Sequence, residues 1–109
     1  KEKKEIKEIK EKIVPIAEKY RIPMVYIFGS YARGTADENS DLDFLVDTRG
    51  TALKSLLSLG ALYSDLEAVF EKNIDLITLG SLEQSTQMPS EAEFKKTVWE
   101  ERVNIYHAA

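Results

Sequence analysis

A chain of 109 residues has room for one hydrophobic core, so a single domain spanning 1–109 is expected. Its 15 basic residues against 19 acidic ones, a formal net charge of −4, leave no basic stripe to neutralise a nucleic-acid backbone, which argues against binding long RNA or DNA. With no cysteine and one histidine, disulfides and thiolate or histidine metal sites are excluded and any metal must be held by oxygen, while no apolar run approaches the ~20 residues of a membrane span.

The lysine- and glutamate-rich start lacks the apolar segment of a signal peptide, so a cytoplasmic protein is expected. The chain opens on Lys1 rather than Met, and a few residues are expected to precede it. In KEKKEIKEIKEKIVPIAEKY, Ile6, Ile9, Ile13, Ile16, Ala17 and Tyr20 recur at three- and four-residue steps, which predicts an amphipathic helix. Charge pairs such as Glu8 with Lys12 add ~0.3 kcal/mol each on its solvated face. Pro15 cannot donate an interior helical bond and is expected to kink the helix or start a new one.

MVYIF, residues 24–28, reads as a strand buried on both faces. Gly29 and SYAR follow as a short helical turn closed by Gly34, and TADENS is loop composition. Leu42, Phe44 and Val46 alternate with Asp41, Asp43, Leu45 and Asp47 in a second strand. Thr51 to Lys72 carries a wide apolar stripe and predicts a helix weakened at Gly60. NIDLITLG is a third strand, with Asp75, Ile77 and Leu79 on one face. Ser90 and Glu93 form a capping-box pattern for a last helix carrying Phe94, Val98, Trp99, Val103, Ile105 and Tyr106.

Helix, strand, strand, helix, strand, helix is an α/β layer fold with a small mixed sheet. A long helix between the second and third strands is the connection that parallel neighbours require. Parallel neighbours start at the same edge, so Asp75 is expected beside Asp43. If the first strand runs antiparallel to the second, Gly29 and Ser30 arrive at that edge too.

Residues two apart on a strand share a face, so Asp41 and Asp43 are expected to project together, with Asp75 alongside. Carboxylates so gathered raise the cost of ionising one another, and a hard divalent cation such as Mg²⁺ relieves them. Two such ions could activate an attacking hydroxyl and hold phosphates. Gly29 permits close backbone approach and Ser30 can donate to a phosphate oxygen, a layout suited to a nucleoside triphosphate. Arg33 could fork onto a phosphate or the acceptor, or pair with Asp37 or Glu38.

Gly29-Ser30, ten intervening residues, Asp41-Leu42-Asp43 and the distant Asp75 of NIDLITL resemble the minimal nucleotidyltransferases of the DNA polymerase beta superfamily. FGSYARG, SDLDFLV and the final VNIY extend the likeness over nearly the whole chain; Tyr31 departs from it, where relatives often carry a basic residue. The resemblance implies a polymerase-beta-like fold, Mg²⁺ on Asp41, Asp43 and Asp75, and a triphosphate held by the Gly-Ser turn. It also implies attack by an acceptor hydroxyl on the α-phosphorus of ATP, with release of pyrophosphate. Many small members are antitoxins of HEPN-domain ribonuclease toxins, and in that branch AMP passes to a tyrosine hydroxyl near the toxin's active site. Nearly every segment is used by the core, so the acceptor is expected to bring its own surface. Two other readings stay open: an antitoxin that neutralises its toxin by occlusion alone, and a small-molecule nucleotidyltransferase.

Overall fold

The structure, a computed structural model, describes residues 4–109. Helix α1, Lys4–Tyr20, buries Ile9, Ile13, Ile16 and Ala17, residues that recur every three or four positions. No new helix starts at Pro15, and α1 continues through it. Pro15 lies on the exposed side, where water can serve the carbonyl it leaves unpaired, while Ile13, Ile16 and Ala17 anchor the helix on both sides. The helix stops at Arg21, which adopts φ 56°, as Ile22 N donates back to Ala17 O at 2.9 Å.

Four strands follow the order β3-β2-β1-β4: β1 is Met24–Phe28, β2 Leu42–Asp47, β3 Ile74–Thr78 and β4 Val103–His107. β1 is antiparallel to both β2 and β4, and β2 is parallel to β3. The parallel pair is joined through α3, Leu56–Phe70, the crossover that parallel pairing demands. One face of the sheet, with Val25, Ile27, Leu42, Phe44, Val46, Ile74 and Ile105, is closed by α1 and by Leu62 and Leu66 of α3. Burying each such side chain contributes about 1.5–3 kcal/mol. The other face presents Phe28 and Leu45, with Tyr26 and Ile77 beside them, to Leu79 of α4 (Leu79–Glu83) and Val98 of α5 (Pro89–Glu101).

Several boundaries differ from the sequence reading. α3 begins at Leu56 instead of Thr51, because the Thr51 hydroxyl donates to Thr48 O at 2.6 Å and accepts from Leu53 N, closing a turn, and Ser55 and Ser58 then form a reciprocal cap. Leu79, expected at the end of the third strand, instead opens α4, whose first turn is capped by Thr78 accepting from Ser81 N. Ser90 does not cap α5. The helix starts two residues earlier than such a cap implies, at Pro89, whose fixed φ suits a first turn.

The largest difference is at the C-terminus. The expected last helix ends at Glu101, and Val103–His107 turns back as a strand along β1. Val103 and Ile105 are two apart and cannot share a helical face, whereas on a strand both point at the core. The backbone groups of β1 that this edge would leave open are thereby paired. Asn104 Nδ2 donates to Val25 O and to Tyr106 O at the register shift between Val25 and Tyr26. Among the described residues no helix is long and apolar enough to cross a membrane.

Candidate active site

Strand register brings the candidate residues together. Phe28 pairs with Asp43 and Asp43 with Asp75, so the end of β1 and the starts of β2 and β3 meet at one edge of the sheet. Directly paired residues point to the same face. Phe28, Asp43 and Asp75 therefore form a row on the face covered by α5, and the next row inward is Tyr26, Leu45 and Ile77. The antiparallel first strand and the parallel crossover inferred from the sequence are both present.

Asp43 is half-buried and Asp75 exposed. Burial first, then a hydrogen bond to Asp75 and the charges of Asp75 and Asp41, push the Asp43 carboxyl up from 3.8 to about 7, against an opposing pull from Arg33. The pair is an excess of negative charge waiting for a counter-charge.

Gly29 opens α2, Gly29–Arg33, with φ 70°. A methyl group built there would overlap Asp43 Oδ2 and lie 3.1 Å from its Cγ. Glycine is needed twice over at this position, for its left-handed backbone and for the space it leaves to the carboxylate. Ser30 is half-buried in the same turn, and Gly34 with φ 81° closes it.

Arg33 takes none of the partners its neighbourhood offered. Asp37 is occupied by Asn39 N and Ser40, and Arg33 Nη1 instead donates to Glu101 Oε1 at 3.0 Å and Oε2 at 3.1 Å, tying α2 to α5. Gly29, Arg33, Asp43 and Asp75 line one cleft of about 620 Å³, whose far wall is Phe94, Thr97, Val98 and Glu101 of α5. These four sit at i, i+3, i+4 and i+7, one face of a helix. Sequence reasoning missed Thr97 and Glu101; the signal was two polar residues on the stripe that Phe94 and Val98 begin.

Asp41 stands apart. It precedes β2 by one residue, is exposed, and lines a neighbouring hollow with Glu38, Ser40 and Lys72. Its charge still reaches Asp43. Among the described residues no three carboxylate, histidine or cysteine side chains are gathered closely enough to hold an ion as they stand. Asp47, further along the face of Asp43, is not part of the cleft: it is buried against Arg49, whose backbone N, Nε and Nη2 donate to it at 3.0, 3.0 and 2.8 Å.

A glycine turn and two carboxylates at the shared edge of a β1-β2-β3 sheet describe a nucleotidyltransferase of the polymerase beta type. Residues 11–106 match the family "Polymerase beta, Nucleotidyltransferase", and the chain belongs to that family. It is 47% identical over 77 residues, 71% of this chain and 81% of the other, to "Putative protein adenylyltransferase MJ0435" of Methanocaldococcus jannaschii. It is 39% identical over 67 residues, 62% of this chain and 66% of the other, to "Protein adenylyltransferase MntA" of Thermococcus cleftensis. Among solved structures its fold is similar to that of a "putative minimal nucleotidyltransferase" (TM-score 0.62, 27% identity, 90% of each chain covered). It is also similar to a chain from a toxin-antitoxin crystallised with AMP-PNP (TM-score 0.67, 21% identity, 91% of this chain and 73% of that one). A third likeness is to a chain from the complex of tri-AMPylated Shewanella oneidensis HEPN toxin with MNT antitoxin (TM-score 0.64, 17% identity, 94% and 73% covered).

Proposed function

We propose that this chain is a cytoplasmic, Mg²⁺-dependent protein adenylyltransferase that moves AMP from ATP onto a tyrosine hydroxyl of a HEPN-type ribonuclease toxin, acting as its antitoxin. The observation that carries this reading is the Asp43–Asp75 pair beside the Gly29 turn in one cleft. It is supported by relatives named protein adenylyltransferases.

The donor chemistry fits Mg²⁺. All three candidate ligands are carboxylates, the oxygen donors that this hard ion prefers, and the Asp43 carboxyl is raised by burial first and then by its hydrogen bond to Asp75 and the charges of Asp75 and Asp41. Asp43 and Asp75, joined from the rim by Asp41, would hold two ions. Bound there, they would supply Lewis-acid polarisation of the phosphates and a lowered pKa for the acceptor hydroxyl. Gly29 lets the triphosphate approach the backbone, and Ser30 donates to it. Arg33, fixed by Glu101 at the same end of the cleft, offers its remaining N–H groups to phosphate oxygens. In the reaction a bond forms between the phenolic oxygen and the α-phosphorus. The bond from that phosphorus to the bridging oxygen breaks, pyrophosphate leaves with the electron pair, and the phenolic proton passes to water at the open side of the cleft.

The test is incubation of the purified chain with α-labelled ATP, Mg²⁺ and the HEPN toxin. Label on the toxin, lost with Asp43→Asn, is the expected result. Full neutralisation of the toxin by the Asp41→Asn, Asp43→Asn double variant would assign the chain to occlusion, and turnover with a small soluble acceptor alone to small-molecule chemistry.

A further inference from the structure

We infer that the apolar half of the cleft is an acceptor-ring subsite, in which Phe94, with Val98 and Ile77, holds the aromatic ring of the tyrosine that receives AMP. The inference rests on the function proposed above and adds the residues that select the acceptor.

The α5 wall changes character along its length. Near α2 it ends in the Arg33–Glu101 ion pair, and one to two turns earlier it presents Val98 and Phe94. Phe94 is 52% exposed although it belongs to the cleft, and its ring meets the buried Phe28 edge-on at 6.4 Å and 79°. One edge of Phe94 is thus fixed while the rest stays open. About half of the Phe94 surface is thus left open on the wall of the cleft, an apolar surface that a ligand ring can cover. Ile77, the next residue along β3 on the face of Asp75, is half-buried opposite.

The direction of the reaction decides what covers that surface. Displacement at phosphorus is in line, so the attacking oxygen comes from the side opposite the departing pyrophosphate. The phosphates belong at Gly29 and Arg33, at the β1 end of the row. Across the sheet the row runs from Phe28 on β1 through Asp43 on β2 to Asp75 on β3, the edge strand. The acceptor therefore enters over Asp75, beside Ile77. Phe94 borders this same side, since it also lines the adjoining hollow with Ile77, Ser81 and Leu82. A phenol placed there sets its ring against Phe94 and Ile77 and its hydroxyl toward the carboxylates. Serine or threonine would reach the hydroxyl position with nothing to fill the apolar half. Aromatic pairing favours tyrosine, and a missing apolar group in such a pocket costs a factor of ~10 to 200.

Steady-state transfer of labelled AMP to the HEPN toxin tests the assignment, with toxin and ATP varied separately. An unmodified chain that never labels the toxin would refute the function above. Once it labels, Phe94→Ala is expected to raise the KM for toxin about tenfold or more, leaving the KM for ATP within about twofold. A toxin whose acceptor tyrosine is exchanged for serine should be modified far more slowly by the unmodified chain, and Phe94→Ala should narrow that preference. A raised KM for ATP with the toxin unaffected would give the aromatic wall to the nucleobase and overturn the inference. So would two unchanged KM values. Circular dichroism melting checks folding, and if Phe94→Ala fails to fold, Phe94→Leu, which keeps bulk but loses the ring, is read by the same two constants.

Discussion

Two glycines with almost the same φ but different surroundings allow the site's tightest contact to be separated from ordinary chain strain. Gly29 has φ 70° and Gly50 φ 76°. Alanine at either is forced into the left-handed region, at a cost of roughly 1–2 kcal/mol, which for a domain of this size lowers Tm by about 4 to 8 °C. A methyl on Gly50 would meet nothing within 4 Å, whereas one on Gly29 would overlap Asp43 Oδ2. Overpacking of that kind adds ~1–3 kcal/mol if the carboxylate stays in place. If it rotates away instead, the stability is spared and the carboxylate is misplaced, which can cost ~100-fold in rate. Gly50→Ala should therefore melt earlier and transfer AMP normally, and Gly29→Ala should melt at least as early and lose transfer by ~10- to 100-fold. Both are read by circular dichroism melting and by label transfer at saturating ATP and Mg²⁺. Equal activities in the two variants would refute the argument that the close approach of Gly29 to Asp43 matters to the chemistry.

The pH dependence of the metal-free chain follows from the same carboxylate. In the folded chain Asp43 keeps its proton up to about pH 7, whereas unfolded it ionises near 3.8; its contribution is most favourable below pH 3.8, falls as pH rises through about 7, and then levels. Urea titrations with a chelator present should trace this fall, Asp43→Asn should flatten it, and Mg²⁺ added above pH 7 should recover stability; rising stability across the window would contradict the assignment. Asp47 works in the opposite sense, because Arg49 holds its carboxyl below the usual range, so its support is present above that range and disappears in acid. Asp47→Asn should cost ~1–2 kcal/mol near neutrality, since a charged acceptor of three hydrogen bonds is removed from a buried position. The deficit relative to the unmodified chain should shrink at low pH, and a deficit independent of pH would rule out the charge as its source.

What was legible in the sequence was whatever local periodicity or topology dictates. Met24 to Phe28 reads as a strand from its β-prone composition and Asp41 to Asp47 from its alternation, and the helix between Asp43 and Asp75 pointed to a parallel crossover that sets those residues at the same edge. What escaped notice depended on partners far along the chain. Arg33 had Asp37 and Glu38 within a few residues, yet Glu101, 68 residues away, bonds it, a contact between α2 and α5 that no local spacing announces. Val103 and Ile105 could be strung onto the preceding helix as apolar positions, although their two-residue spacing suits a strand, and pairing with β1 is what makes them one. Asp41 was placed by strand alternation on the face of Asp43, but pairing begins at Leu42, and one residue outside the ladder the alternation no longer binds.

The pairing of Asp43 with Asp75 also bears on how the chain assembles. These residues are more than thirty positions apart and meet only when α3 has carried β3 back alongside β2. Until then each is a solvated charge with no neighbour to repel it. The repulsion therefore arises only where β3 pairs with β2, and it is concentrated on one seam. A divalent cation held there, as proposed above, would offset that repulsion on the same seam where the chemistry takes place.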